Sequence, residues 1–209
     1  VPCMYISLEM SGIDTYDRLI ALRRDLPMEA LYANDESLLS IADMVREEKK
    51  SLESNKRFFF VEEPNLSIAK LRSLIKEYMQ RANTDYAIVA VDLVTQLRDF
   101  MSPKGNVTVA NSMEAAMNAL NALAKELNVH IIAVVQFNRD ADNYKLTSVD
   151  DLDLLRPTLN NIKNSAAIAE RSRVVLSLFR KKYYADRYLQ DVKGAAELPD
   201  IMELTVLKN

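Results

Sequence analysis

Short apolar runs alternate with longer segments of helical period along this chain, and this alternation limits the fold to parallel βαβ units. Residues 86–91 are wholly apolar, as a strand buried on both faces must be. Similar runs at 4–8, 58–61 and 130–135 read as further strands, and 173–179 and 201–207 as the last two. Between them the period changes to that of a helix. Ser11 with Asp14 three residues on forms a capping box before Ile13, Tyr16 and Ile20. A charged helix is expected over about 36–54, with Leu38, Ile41 and Val45 on its apolar face. Ser67 caps a helix carrying Ile68, Leu71, Ile75, Tyr78 and Met79 on one side. Residues 107–127 repeat the pattern through Val109, Met113, Met117, Leu120, Ala124 and Leu127, with the methionines as core filling. Residues 138–157 are polar and rich in Asp, and read as a long loop. The expected fold is α/β: one domain over residues 1–209, with a mostly parallel central sheet and helices on both faces.

The totals narrow the function classes. With 209 residues the chain can fill a single core. No apolar run approaches the roughly 20 residues that cross a membrane, and no charged-then-apolar segment opens the chain. Cys3 is the only cysteine, which excludes an internal disulfide and suits a reducing cytosol; in its apolar run it reads as a core thiol. A net charge of −3 excludes a blanket electrostatic grip on nucleic acid. Both ends, Val1 and Asn209, look like cuts inside a folded domain.

The functional reading begins at the strand ends. Glu9 follows the run 4–8, Asp92 follows 86–91, Gln136 follows 130–135 and Lys208 follows 201–207. In open parallel sheets the ligand lies at the carboxyl ends of the strands, so an acid, an acid, an amide and a cation are delivered to one edge. A solvated strand end explains any one of them; the four together suit nucleoside-triphosphate hydrolysis. Asp92 would hold the water shell of Mg2+ and Glu9 would orient or deprotonate the attacking water. Gln136 would sense the γ-phosphate, and Lys208 would stabilise transition-state charge in its own subunit or across an interface. His130, the only histidine, opens its strand and reads as structural. The phosphate-gripping spacing G-x-x-x-x-G-K-[ST] is absent: Gly12, Gly105 and Gly194 lie far apart, and none precedes Lys-Ser or Lys-Thr.

Several segments resemble those of DnaB-type replicative helicases. Ser7-Leu8-Glu9-Met10-Ser11 resembles their Ser-Leu-Glu-Met signature, and Pro64-Asn65-Leu66-Ser67-Ile68 their Pro-Gly-Leu-Ser-Ile. Val91-Asp92-Leu93 stands where the family has its Walker B Ile-Asp-Tyr. The segment Leu120-Asn121-Ala122-Leu123-Ala124-Lys125-Glu126-Leu127-Asn128-Val129 is very close to Leu-Lys-Ala-Leu-Ala-Lys-Glu-Leu-Asn-Val. Gln136-Phe137-Asn138-Arg139 matches the sensor and DNA-loop motif, and Arg156-Pro157, Ile162-Lys163-Asn164-Ser165 and Leu207-Lys208-Asn209 resemble later motifs. The resemblance runs from about residue 4 to 209 in constant order. It implies a RecA-like ATPase fold truncated at both ends, with the first strand, phosphate loop and first helix upstream and the Arg finger downstream. It also implies a ring-shaped, hexameric motor using ATP and Mg2+ on single-stranded DNA, with a primase or helicase loader as partner, in a bacterial cytoplasm or that of a phage host. Under it Glu9 is the catalytic base, Asp92 the Mg2+ carboxylate through water, Gln136 the coupling residue and Lys208 the residue acting on a neighbour's nucleotide. Sparse glycine and divergent motifs suggest a phage version.

The resemblance is not uniform. Ala169-Glu170-Arg171-Ser172-Arg173 reverses the charge of a segment usually read as Glu-Gln-Asp-Ala-Asp, and Leu93 replaces Tyr. DNA contact by Arg139, Lys145, Arg156 and Lys163 stands beside a solvated-loop reading, since Asp140, Asp142, Asp150, Asp151 and Asp153 offset them. Lys104 beside Gly105 is a further DNA candidate. The cations and aromatics of Arg180, Lys181, Lys182, Tyr183, Tyr184, Arg187 and Tyr188 read as a charged turn in preference to a single-strand platform. The alternatives to a helicase motor are an ATPase-inactive RecA-fold module that binds DNA or a replication partner, and a recombinase-like or RadA-like ATPase.

Overall fold

The structure, a computed structural model, describes residues 1–32, 38–101, 109–137, 144–162 and 166–209. They fall into two compact units, Val1–Val135 and Gln136–Asn209.

The first unit is built on a four-stranded parallel sheet in the order β2-β1-β3-β4. Its strands are β1 (Cys3–Ser7), β2 (Phe58–Glu62), β3 (Ala87–Asp92) and β4 (Val129–Ala133). The register pairs Ser7 with Glu62 on one side and with Asp92 on the other. Helix α1 (Gly12–Arg24) follows β1, α2 (Leu38–Ser54) precedes β2, and α3 (Ile68–Ala82), α4 (Arg98–Met101) and α5 (Val109–Glu126) complete the unit.

Strand alternation decides which helix covers which face. Met4, Ile6, Val89 and Val91 are wholly buried, and on that side Phe59 stacks on Tyr78 of α3, with ring centroids 5.5 Å apart. The expected stripe of α3 is the buried one, through Leu71, Ile75 and Tyr78. Burying each such side chain contributes roughly 1.5–3 kcal/mol. On the opposite face Phe60 meets Tyr16 of α1 at 5.3 Å. Glu48 of α2, 8% exposed, ties α2 to α1 through Arg23 at 2.9 Å and Arg24 at 2.7 Å. Toward β4 that face is open, with Ile132 53% exposed.

The helix ends are chemically specified. Ser11 caps α1 by accepting from Asp14 N–H at 3.1 Å, and Ser67 caps α3 through Lys70 N–H at 3.2 Å. Three exits take the left-handed conformation that Asn and Asp tolerate: Asp25 (φ 52°), Asn83 (φ 48°) and Asn128 (φ 53°). Asn65, with φ 62°, occupies a position of the same kind. Its counterpart in the helicase segment that it resembles is glycine, the residue that takes this conformation most readily.

The second unit contains α6 (Ala166–Arg171), β5 (Val175–Phe179), α7 (Lys181–Tyr188) and β6 (Glu203–Lys208). Here three expectations are corrected. Among the described residues β6 pairs only with β5, antiparallel, in a two-stranded sheet. Lys208 therefore does not end a strand of the parallel sheet. Ser177 and Phe179 of β5 are buried, while the apolar Leu176, Leu178, Leu204 and Val206 of the two strands are exposed. Second, the Asp-rich stretch is not all loop. Asp150–Leu155 forms a 3-10 turn whose Leu152 is fully buried, packed with Ala185, Leu189 and Ala195. Third, the basic-aromatic cluster is the helix α7. Its Tyr184 stacks on Phe179 at 5.3 Å and on Tyr188 at 6.5 Å. Arg180 pairs with Asp200, Lys181 with Asp153 and Lys182 with Asp186, which favours the structural reading of that cluster.

Candidate functional site at the carboxyl rim of the parallel sheet

The strand ends are joined by hydrogen bonds that continue past the strands. Leu8 N–H donates to the Asp92 carbonyl at 2.7 Å, Val134 N–H to Val91 at 3.0 Å, and Val94 N–H to Val134 at 3.0 Å. Asp92 is the last residue of β3 and its peptide to Leu93 is cis. Glu9 stands two residues beyond β1, in a turn that Ser7 closes. The Ser7 hydroxyl donates to the Met10 carbonyl at 2.7 Å and accepts from Met10 N–H at 3.1 Å. Ser7 is only 2% exposed, so the turn hangs from a buried anchor. Beyond it, Gly12 N–H donates to Glu62 Oε2 at 2.6 Å. This fixes the start of α1 with a carboxylate from β2, as the positive end of a helix favours.

The structure thus brings Glu9 and Asp92 to adjacent strand ends, as expected. The Glu9 side chain is exposed and has no hydrogen-bond partner among the described residues. Asp92 is partly buried, and its Oδ2 accepts from the Tyr5 hydroxyl at 2.6 Å. Burial, followed by this bond and the Asp92 charge, pushes the Tyr5 phenol well above its usual pKa, against a smaller opposing effect of Arg18. The donor set fits Mg2+: one hard carboxylate with its second oxygen free among the described residues suits an ion held mainly by water and phosphate. No cluster of three or more His, Cys, Asp or Glu forms an all-protein cage among the described residues.

The remaining candidates are placed differently. Gln136 is exposed, three residues past the end of β4, and belongs to the second unit. The Lys208 ammonium donates to the Ala169 carbonyl at 2.9 Å and the Glu170 carbonyl at 2.8 Å, at the last turn of α6. A cation there satisfies the unpaired carbonyls of a helix end. Arg156 binds Glu203 and Asp153, and its guanidinium lies 5.0 Å over the Phe179 ring. Lys145 is exposed and without a partner among the described residues. Lys104, Arg139 and Lys163 lie outside the described residues. His130 is exposed on β4. Cys3 is half-buried, not the core thiol that its apolar run suggests, and burial raises its thiol pKa.

Sequence reasoning did not single out Tyr5, Ser7 as an anchor, or Glu62. Each acts through a register between strands far apart in the chain. Only the pairing of Ser7 with both Glu62 and Asp92 would have pointed to them.

Known proteins share this architecture. One solved ATPase domain matches with a TM-score of 0.76 at 18% identity, over 99% of this chain and 66% of that one. A DnaB-like replicative helicase, solved in a study of its interactions with primase, matches with a TM-score of 0.76 at 19% identity, over 99% and 45%. The fold is therefore the RecA-like α/β fold. Among curated relatives, a probable replicative DNA helicase of Trieres chinensis is 29% identical over all of this chain and 42% of its own length. Replicative DNA helicase DnaB of Rickettsia prowazekii (strain Madrid E) is 27% identical over 88% of this chain and 35% of its own. The chain spans less than half the length of these relatives. The model of the DnaB-like helicase C-terminal domain matches residues 1–209, and the chain belongs to that family.

Proposed function

We propose that this chain is most of the ATPase motor of a replicative DNA helicase, hydrolysing ATP at the carboxyl rim of the parallel sheet. The observation that carries the proposal is the juxtaposition of an unpartnered, exposed Glu9 with an anchored Asp92 on neighbouring strands. A buried anchor beneath a free carboxylate is what a general base requires: fixed position and free lone pairs. Glu9 accepts a proton from, or orients, the water that attacks the γ-phosphate. Asp92 would hold the water shell of a nucleotide-bound Mg2+, and that ion would supply charge neutralisation at the phosphates. Gln136, exposed at the start of the second unit, reports the γ-phosphate to the adjoining segment with Arg139. For Lys208 to act on a neighbour's nucleotide, its ammonium exchanges the Ala169 and Glu170 carbonyls for phosphate oxygens.

The motor reading requires a phosphate-gripping loop outside residues 1–209, for which the greater length of the relatives leaves room. The DNA-facing groups are Lys104, Arg139, Lys145 and Lys163; Arg156 joins them only by leaving its carboxylate partners. The motor works as a hexameric ring on single-stranded DNA, in the cytoplasm, with a primase or loader as partner. Among the described residues no helix is long and apolar enough to cross a membrane.

Glu9→Gln in the full-length protein tests the central claim. It should lower ATP turnover by roughly 10²–10⁴-fold with ATP binding nearly intact. An equal loss of binding and turnover makes Glu9 structural. The missing glycine spacing favours a second reading, an ATPase-inactive RecA-fold module, and no ATP binding by the full-length protein would establish it.

A further inference from the structure

Tyr5 lies on β1 two residues before Ser7, and therefore on the same side of the strand. Its partner in β3 is Ala90, while Ser7 is paired with Asp92. The phenol thus reaches along the sheet, toward the carboxyl rim, to donate to Asp92 Oδ2 at 2.6 Å. Its ring is held near-parallel to Phe60, with centroids 6.0 Å apart and 14° between planes. Phe60 is backed in turn by Tyr16 of α1. The hydroxyl is therefore delivered by a ring fixed in a stack and not by a free side chain. An Asp carboxylate turns easily about its last torsion, and a bound partner on one oxygen removes that freedom.

We propose that Tyr5 is a positioning residue for Asp92: by holding Oδ2 it sets the plane of the carboxylate and leaves Oδ1 to receive a water of the nucleotide-bound Mg2+. The inference rests on the reading of Asp92 as the carboxylate that holds that water shell. It assigns a role to a residue outside every motif quoted above, since Tyr5 precedes the Ser7-Leu8-Glu9-Met10-Ser11 segment. Groups that orient a metal-binding carboxylate without touching the metal commonly change metal affinity by roughly 10–100-fold when removed. A contact through water places Tyr5 at the lower end of that range.

The test is Tyr5→Phe in the full-length protein, which keeps the ring stack and removes only the hydroxyl. Binding of a fluorescent ADP analogue is measured as Mg2+ is titrated, with Asp92→Asn alongside. The Mg2+ concentration at half-saturation should rise roughly tenfold in Tyr5→Phe, with ADP affinity at saturating Mg2+ unchanged and the melting temperature lower only by the few degrees that one hydrogen bond to a carboxylate contributes. Turnover should fall at limiting Mg2+ and recover at saturating Mg2+. Asp92→Asn should raise the Mg2+ requirement further. An unchanged or lower requirement in Tyr5→Phe, with Asp92→Asn raised, overturns the role of Tyr5 alone. A lower melting temperature with an equal loss of ADP affinity at every Mg2+ concentration makes Tyr5 structural and also overturns it. An unchanged Asp92→Asn, or no nucleotide binding by the wild type, removes the reading of the site and this inference with it.

Discussion

Gly12 and Glu62 offer the sharpest test of how the turn bearing Glu9 is held. Gly12 N–H donates to Glu62 Oε2 at 2.6 Å, and a Cβ added to Gly12 would lie 2.9 Å from that same oxygen and 3.3 Å from Phe60 Cε1. Gly12 does not have a positive φ, so alanine is acceptable to the backbone and meets only the carboxylate and the ring edge. A hydrogen bond to a charged group contributes about 1.5–3 kcal/mol. Glu62 is exposed, and screening brings Glu62→Ala down to about 1–1.5 kcal/mol. For a protein of this size that is about 2–4 °C in melting temperature per kcal/mol. Gly12→Ala displaces the same carboxylate but gains about 0.4–1 kcal/mol from a less flexible unfolded chain, leaving a loss of about half a kcal/mol. With both substitutions the collision is gone and the gain remains. The double variant should therefore be more stable than Glu62→Ala alone, with a coupling of about 1 kcal/mol. Urea unfolding of the four proteins, followed by circular dichroism, measures the cycle. Losses that simply add would refute the shared-space account and free α1 from Glu62.

Two predictions concern the second unit. Leu152→Ala should cost about 2–5 kcal/mol, because Leu152 is fully buried against Ala185, Leu189 and Ala195; proteolysis after residue 135 should accelerate, and a change below about 1 kcal/mol would remove Leu152 from the core. The Asp151 carboxylate accepts from Thr147 N–H at 2.8 Å, Thr147 Oγ1 at 2.9 Å and Ser148 N–H at 2.8 Å, and these bonds lower its pKa to about 2. A folded-state pKa below the unfolded one contributes stability above about pH 4 that is lost as pH falls toward 2. Asp151→Asn should accordingly be less stable at neutral pH and show a shallower loss of melting temperature on acidification; an unchanged acid slope would mean that other carboxylates carry it.

The elements legible in the sequence are those with a local chemical signature. Ser11, Ser67 and the stripe Leu71, Ile75 and Tyr78 stand where the sequence places them, because caps and helical period are set by neighbours in the chain. Glu9 and Asp92 are legible because a polar residue that closes a buried strand is visible without knowing its partners. Lys208 is misplaced by sequence reasoning because a sequence marks a strand but not the sheet that it joins; β6 finds β5 across α7 and turns antiparallel. Arg180, Lys181 and Lys182 look like a charged turn, and composition alone does not reveal that Asp200, Asp153 and Asp186 wait for them. Tyr5 and Glu62 are illegible for the same reason: both depend on a register between segments dozens of residues apart.

The hydrogen bonds that run on past the strands have a mechanical consequence. Leu8 is tied to Asp92, Val134 to Val91 and Val94 to Val134, so the ends of β1, β3 and β4 are laced into one plate. Shifting Leu8 against Asp92 by the length of a bond would break the backbone hydrogen bond that joins them, whereas a rotating side chain leaves it intact. A machine that turns chemical energy into displacement needs a part that does not yield, against which the yielding parts push. For the motor proposed above, the laced rim would be that anvil, and the travel of a power stroke would fall to segments that this lacing leaves untied.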